Sequence, residues 1–271
     1  QSATPYGAPG APTGVSATFS GGSAQVTWNA PNNSNGRAVE YYEVSAGAAT
    51  PVRVSAPLTS TSLDIGYSDQ QVSISVVAVN DSSEPAGHTS PAASTTVWAV
   101  GDVNAPTITS VAATGNSREV RIGVEFQPGN GWSKNDVTGY EWAVAESGMW
   151  QSLPAGGGTV TSTTLADGAA ATIKVRVNVR KGGDGAESSA EATGGTVTPF
   201  GPPSVQVLCG PGGAGWVNCS WSNVNDGGRS TKLVLSGAAN DTINDTRDGH
   251  LEFNVGEGNS AQLCVKAVQT S

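Results

Sequence analysis

Three tryptophans stand where no strand pattern claims them: Trp132 in the loop PGNGWSKND, Trp150 near a glycine-rich turn and Trp216 beside another. A large ring in a loop can stack on a sugar or pack on a neighbouring domain. A sugar platform needs two or three coplanar rings with polar companions such as Asn130, Asn135 or Asp136, and interdomain or loop packing makes the smaller demand. Trp132, Trp150 and Trp216 are therefore candidate protein contacts first and candidate carbohydrate contacts second.

The three cysteines all lie in the last third of the chain. Cys209 and Cys219 flank a glycine-rich hairpin and can face one another across two strands, which makes them the favoured disulfide; a Cys219–Cys264 bridge joins an inward to an outward position, and three free thiols are the remaining reading. With Cys209 and Cys219 joined, Cys264 is free or paired beyond this chain. The segment NDTINDTRDG gathers Asp241, Asp245 and Asp248, weak candidates for calcium. Its spacing departs from the D-x-[DN]-x-[DN]-G loop and lacks the closing bidentate Glu, so a solvated turn is expected. His88 and His250 fall in different parts of the chain and no Cys-x-x-Cys occurs, so a transition-metal site has no ligand set. No nucleophile elbow, P-loop or dinucleotide glycine pattern is present. The expectation is a non-enzymatic chain with no cofactor and no catalytic residues. Asn-x-Ser/Thr sequons begin at Asn32, Asn80, Asn218, Asn240 and Asn244.

Composition narrows the partners. The formal charge is −9, from 22 acidic against 13 basic residues. With no Lys/Arg cluster, nucleic acid has no cationic surface to engage. No apolar run approaches the roughly 18 residues of a membrane-spanning helix. A start at Gln1 fits a processed or excised fragment.

The elements that must position these residues are short strands, repeated. Pro12, Pro106 and Pro203 each open a run, 94 and 97 residues apart, a length that suits sandwich domains. Residues 1–11, rich in Pro, Gly and Ala, read as a linker or extended lead-in. In the first run Val15, Ala17 and Phe19 alternate, then Ala24, Val26 and Trp28, then Tyr42, Val44 and Ala46. Residues 72–80, VSISVVAVN, give the strongest strand. The second run repeats this with Val120, Ile122, Val124 and Phe126, then Tyr140, Trp142 and Val144, then TIKVRVNVR at 172–180. In the third, GPGGAG at 210–215 reads as a turn. Val217, Cys219 and Trp221 follow it, then Leu233 and Leu235, and last Leu263, Val265 and Ala267. Only Val268 to Ser271 remain, too few for a seventh strand. That strand comes either from residues beyond Ser271 or from another chain. Alternation places Trp28 and Trp221 in the core.

Those residues resemble tandem fibronectin type III domains. The prolines look like the family's opening, VTW at 26–28 and CSW at 219–221 like its second strand, and Tyr41, Tyr42 and Tyr140 like its third-strand aromatic. VVAVN at 76–80, VNV at 177–179 and VKAV at 265–268 look like its sixth strand. Phe126 stands in place of the second-strand Trp in the middle run, at a shifted distance from the next Pro, which suggests a bulge or a shifted register. The resemblance implies an all-β chain of three immunoglobulin-like sandwiches at 12–100, 104–199 and 202–271, the third lacking its last strand within the given chain. No RGD triplet occurs, so integrin-style adhesion does not follow.

The expected function is a structural, spacer or protein-interaction segment of an extracellular or cell-surface protein, bacterial by its modular style. Its partners are neighbouring domains or protein subunits, with a glycan as the rival, and neither nucleic acid nor membrane insertion is expected. The alternatives are a carbohydrate-binding or adhesin module, and a structural subunit of a virion or filament.

Overall fold

A computed structural model describes residues 5–182, 185–237, 241–243, 249–260 and 262–270. Regular structure among them is strand, apart from two single 3-10 turns at Pro85–Gly87 and Lys134–Asp136. The first sandwich comprises β1 (Thr13–Ser20), β2 (Ser23–Asn29), β3 (Tyr41–Ala46), β4 (Val52–Ser55), β5 (Ser60–Asp64), β6 (Gln71–Val79) and β7 (Ala93–Trp98). One sheet runs β1-β2-β5 and the facing one β4-β3-β6-β7. Every ladder is antiparallel. Period-2 alternation drives Ala24, Val26 and Trp28 inward from one sheet and Tyr42, Val44, Ile74, Val76 and Ala78 from the other. Trp28 meets Tyr42 edge-on, ring centroids 5.2 Å apart, the geometry that aromatic quadrupoles favour.

The second sandwich comprises β8 (Thr107–Ala113), β9 (Glu119–Glu125), β10 (Val137–Val144), β11 (Gln151–Leu153), β12 (Gly157–Thr161), β13 (Ala171–Arg180) and β14 (Glu187–Val197). Its sheets run β12-β9-β8 and β11-β10-β13-β14. The register of β8 against β9 slips between Ile108 and Ser110, an irregularity of the opening strand that the first sandwich shares between Thr13 and Ser16. The buried tryptophan of its core is Trp142 on the third strand, 1% exposed, packed with Ile122, Ile173 and Val175.

The third comprises β15 (Ser204–Gly213), β16 (Trp216–Asn225), β17 (Thr231–Gly237), β18 (Asp241–Ile243), β19 (Gly249–Asn254) and β20 (Leu263–Gln269). Its sheets run β15-β16-β19 and β18-β17-β20, and Trp221, Leu233, Leu235 and Ala267 form its core. Among the described residues no strand lies where β7 and β14 lie beside β6 and β13.

Two expectations need correction here. The span 210–215 is not all turn: β15 runs on to Gly213 with Gly210 opposite Asn218 and Pro211 opposite Val217. Pro211 is tolerated because β15 is an edge strand and needs no donor on its free side. The acidic segment is not all turn either, since β18 pairs Asp241 with Leu235.

The chain divides into two compact units. The first is Gln1–Ala105 with Phe126–Thr138 and Val177–Ala190, and the second is Pro106–Glu125, Gly139–Arg176 and Glu191–Ser271.

Candidate functional site

One arrangement recurs where the chain enters each sandwich. In the first, the Gly7 amide donates to the carbonyl of Asn35 at 3.1 Å. In the second, Gly101 donates to Asn130 at 3.0 Å, and in the third Gly201 donates to Gly227 at 2.8 Å. The acceptor each time is the first residue of a left-handed pair: Asn35-Gly36 (φ 54° and 89°), Asn130-Gly131 (49° and 81°) and Gly227-Gly228 (65° and 84°). Asn and Gly are the residues that adopt this conformation at least cost. The turn aims its carbonyl at the incoming glycine. A second rung follows three residues later, Gly10 to the Asn33 carbonyl at 2.8 Å and Asn104 to that of Pro128 at 3.0 Å. The asparagine of the pair adds a side-chain bond, Asn35 to the Ala8 carbonyl and Asn130 to that of Asp102.

The carbonyl of the entry glycine is also claimed. Asn80 donates to Gly7 at 2.8 Å, and also to Ser34 and Arg37 at 3.1 and 3.4 Å. Gln269 donates to Gly201 at 2.8 Å and to Asp226 at 3.4 Å. In the second sandwich the Trp132 indole N–H takes that role, 2.7 Å from the Gly101 oxygen. Lys181 there occupies the position of Asn80 and Gln269. Its ammonium lies 2.7 Å from Asp136 Oδ2 and 3.1 Å from the Asp69 carbonyl, with the rings of Trp98 and Trp132 5.4 and 5.5 Å away.

The three donors share one origin in sequence. Each stands two residues beyond the last inward apolar residue of the sixth strand: Ala78 then Asn80, Val179 then Lys181, Ala267 then Gln269. Alternation carries each inward. Asn80 is fully buried and Lys181 is 2% exposed. A buried amide or ammonium must find partners or destabilise the fold, and the entering chain and the adjoining loop provide them. The residue after each left-handed pair completes the clasp by covering the residue before the glycine: Arg37 over the ring of Tyr6 at 5.0 Å, and Arg229 over Phe200 at 3.4 Å. Trp132 holds the corresponding place in the second.

Charge is settled locally. Burial alone would raise the pKa of Asp136, but the Lys181 ammonium and the amide and hydroxyl of Ser133 all donate to its carboxylate, leaving it below the ordinary value. Asp81 is held well below its usual range by bonds from Ser83, Tyr6 and Arg37. Its bond pulls the Tyr6 hydroxyl pKa upward.

The tryptophans singled out by sequence therefore have different settings. Trp132 is 6% exposed and committed to Gly101 and Lys181, with Asp136 turned to the same lysine and Asn130 to the entering chain. Trp150 is half-buried beneath Arg176, 4.3 Å from its ring, and that arginine also pairs with Glu141. Trp216 opens β16 and is 45% exposed. Cys209 and Cys219 lie directly opposite on β15 and β16 and are disulfide-bonded, while Cys264 is free and exposed. Asp245 and Asp248 fall outside the described residues, and of Asp241 the structure describes the strand alone. Among the described residues no three His, Cys, Asp or Glu side chains cluster to hold a metal, and no helix is long and apolar enough to cross a membrane.

No protein-family model matches the chain, and no curated protein matches it in sequence. Among solved structures it is similar to the FN1–FN3 domains of chicken CNTN1, at 14% identity over 96% of this chain and 92% of that one, with a TM-score of 0.29. It is also similar to the central fibronectin III array of RIM-binding protein, at 18% identity over 98% and 99%, again with a TM-score of 0.29. At that score the sandwich assignment stands on the sheets and cores themselves.

Proposed function

We propose that this tandem array of fibronectin type III-like sandwiches, with modules at 12–100, 104–199 and 202–271, is a non-enzymatic spacer segment of an extracellular or cell-surface protein. The supporting observation is the clasp around Lys181. A flexible linker needs no buried ammonium, yet residues 99–104 are bonded at Gly101 and Asn104 to the loop 126–132 and covered by Trp132. Such a joint resists bending because movement of 99–104 away from the loop must break these bonds. The disulfide between Cys209 and Cys219 suits an oxidising compartment. An interaction role has its own support in β15 and β16, where Leu208 is 76% and Trp216 45% exposed, apolar surface of the kind found at protein contacts.

The stiffness of the joint is measurable. Nitroxide labels at the exposed positions Thr18 and Ser189, in a Cys264→Ser background, report the distance across it. A single narrow distribution that broadens in Lys181→Ala supports the spacer reading. A broad distribution in the unaltered joint sinks it.

A further inference from the structure

We propose that the loop end of the first sandwich is a peptide-recognition site for the segment Tyr-Gly-Ala-Pro-Gly, occupied here by the chain's own residues 6–10. The segment is bound as a ligand is bound. It belongs to no strand, and among the described residues the apolar cluster of the core begins only at Val15. Four of its backbone groups are nevertheless engaged: the amides of Gly7 and Gly10 by the loop carbonyls of Asn35 and Asn33, and the carbonyls of Gly7 and Ala8 by Asn80 and Asn35. Pro9 is buried against the sandwich.

Backbone rungs of this kind occur at all three entries and carry little sequence information. Selectivity comes from the tyrosine. Its hydroxyl donates to Asp81 Oδ2 and accepts from Arg37 Nη1 at 2.7 Å, while its ring lies under the Arg37 guanidinium and 4.8 Å from the ring of His88. The two charged groups are each held by contacts other than the tyrosine. Asp81 accepts from the amide and hydroxyl of Ser83, and Arg37 is tied to Asp81 and Glu40. A preorganised donor–acceptor pair loses little freedom on binding, and it rewards a phenol over a plain ring. The ligand class is an extended peptide with tyrosine directly before glycine. The attached segment, at high effective concentration, keeps the site closed to others.

A chain beginning at Ala11, titrated by calorimetry with an acetylated peptide of residues 3–11, tests this. The expected result is saturable one-to-one binding, weakened roughly 10- to 100-fold when the peptide tyrosine is replaced by phenylalanine, the range for a hydrogen bond to a charged group. The full-length chain, with its site filled, should bind the same peptide at least about tenfold more weakly. If the shortened chain does not fold, the full-length triple variant Tyr6→Ala, Gly7→Pro, Gly10→Pro, which removes the anchor and both donated rungs and so vacates the site, takes its place in the titration. No binding to a folded chain with a vacated site, or binding indifferent to the phenol, overturns the proposal.

Discussion

Replacing Lys181 with methionine keeps most of the side-chain volume against Trp98 and Trp132 and removes only the ammonium. At 2.7 Å the attraction to Asp136 is about 6 kcal/mol for an effective dielectric constant near 20, and desolvation of the two groups offsets several kcal/mol of it. What the substitution leaves behind decides the net effect. Asp136 loses its ammonium partner, its side chain 14% exposed, with the Ser133 amide and hydroxyl as remaining donors. The Asp69 carbonyl loses the donor at 3.1 Å. Breaking one side of a buried pair typically costs about 3–5 kcal/mol, and the Ser133 donors place this case at the low end, about 3 kcal/mol. Hydrogen exchange read by mass spectrometry on peptides spanning 99–105 and 126–132 should accelerate by roughly 150-fold, since each 1.4 kcal/mol is a factor of ten. Peptides from β2 and β5 should be unaffected. Exchange within threefold of the parent in the joint peptides would refute the claim that the ammonium closes it.

Other outcomes follow from the same contacts. Gly131→Ala puts a Cβ 2.6 Å from the Ala99 carbonyl and 2.8 Å from that of Ser68 at a φ of 81°, so it should destabilise the joint by about 2 kcal/mol; Gly139→Ala, with nothing within 4 Å, should change thermal stability by less than about 0.5 kcal/mol. Replacing Cys209 and Cys219 together by serine opens a short loop and should lower the stability of the third sandwich by about 3 kcal/mol in urea, with the first two unchanged. Asp136 has a folded pKa below its unfolded one, so its contribution is complete above about pH 5 and is lost as pH falls through the lower folded value; the protection of the 99–105 peptide, taken relative to the intrinsic rate at each pH, should be constant above about pH 5 and fall only below about pH 4.

The strands were legible because alternation is a local signal. Trp28 and Trp221 face the cores as their spacing requires. Trp142 faces inward as its alternation with Tyr140 and Val144 requires, and it supplies the buried tryptophan of that core where Phe126 stands on the second strand. The clasp was half legible. Extending the inward parity of Val175, Val177 and Val179 by one step places Lys181 inward, but a lysine after an arginine at a strand end reads as solvated. Its partner Asp136 lies 45 residues away, and sequence gives no measure of that approach. Asn35-Gly36 and Asn130-Gly131 are visible as turn dipeptides, whereas their hydrogen bonds to Gly7 and Gly101 depend on where the entering chain runs. The GPGGAG stretch misled because glycine permits a turn without requiring one. Pairing with β16 extended the strand to Gly213.

The central claim is that one clasp, repeated, holds the chain at each entry. Residue-resolved amide exchange by nuclear magnetic resonance at Gly7, Gly101 and Gly201 tests it most directly, since these three amides lie outside every strand and owe any protection to the clasp. All three are predicted to exchange at least about 100-fold more slowly than an unstructured glycine. Exchange at the unstructured rate at Gly101 and Gly201 would contradict the account.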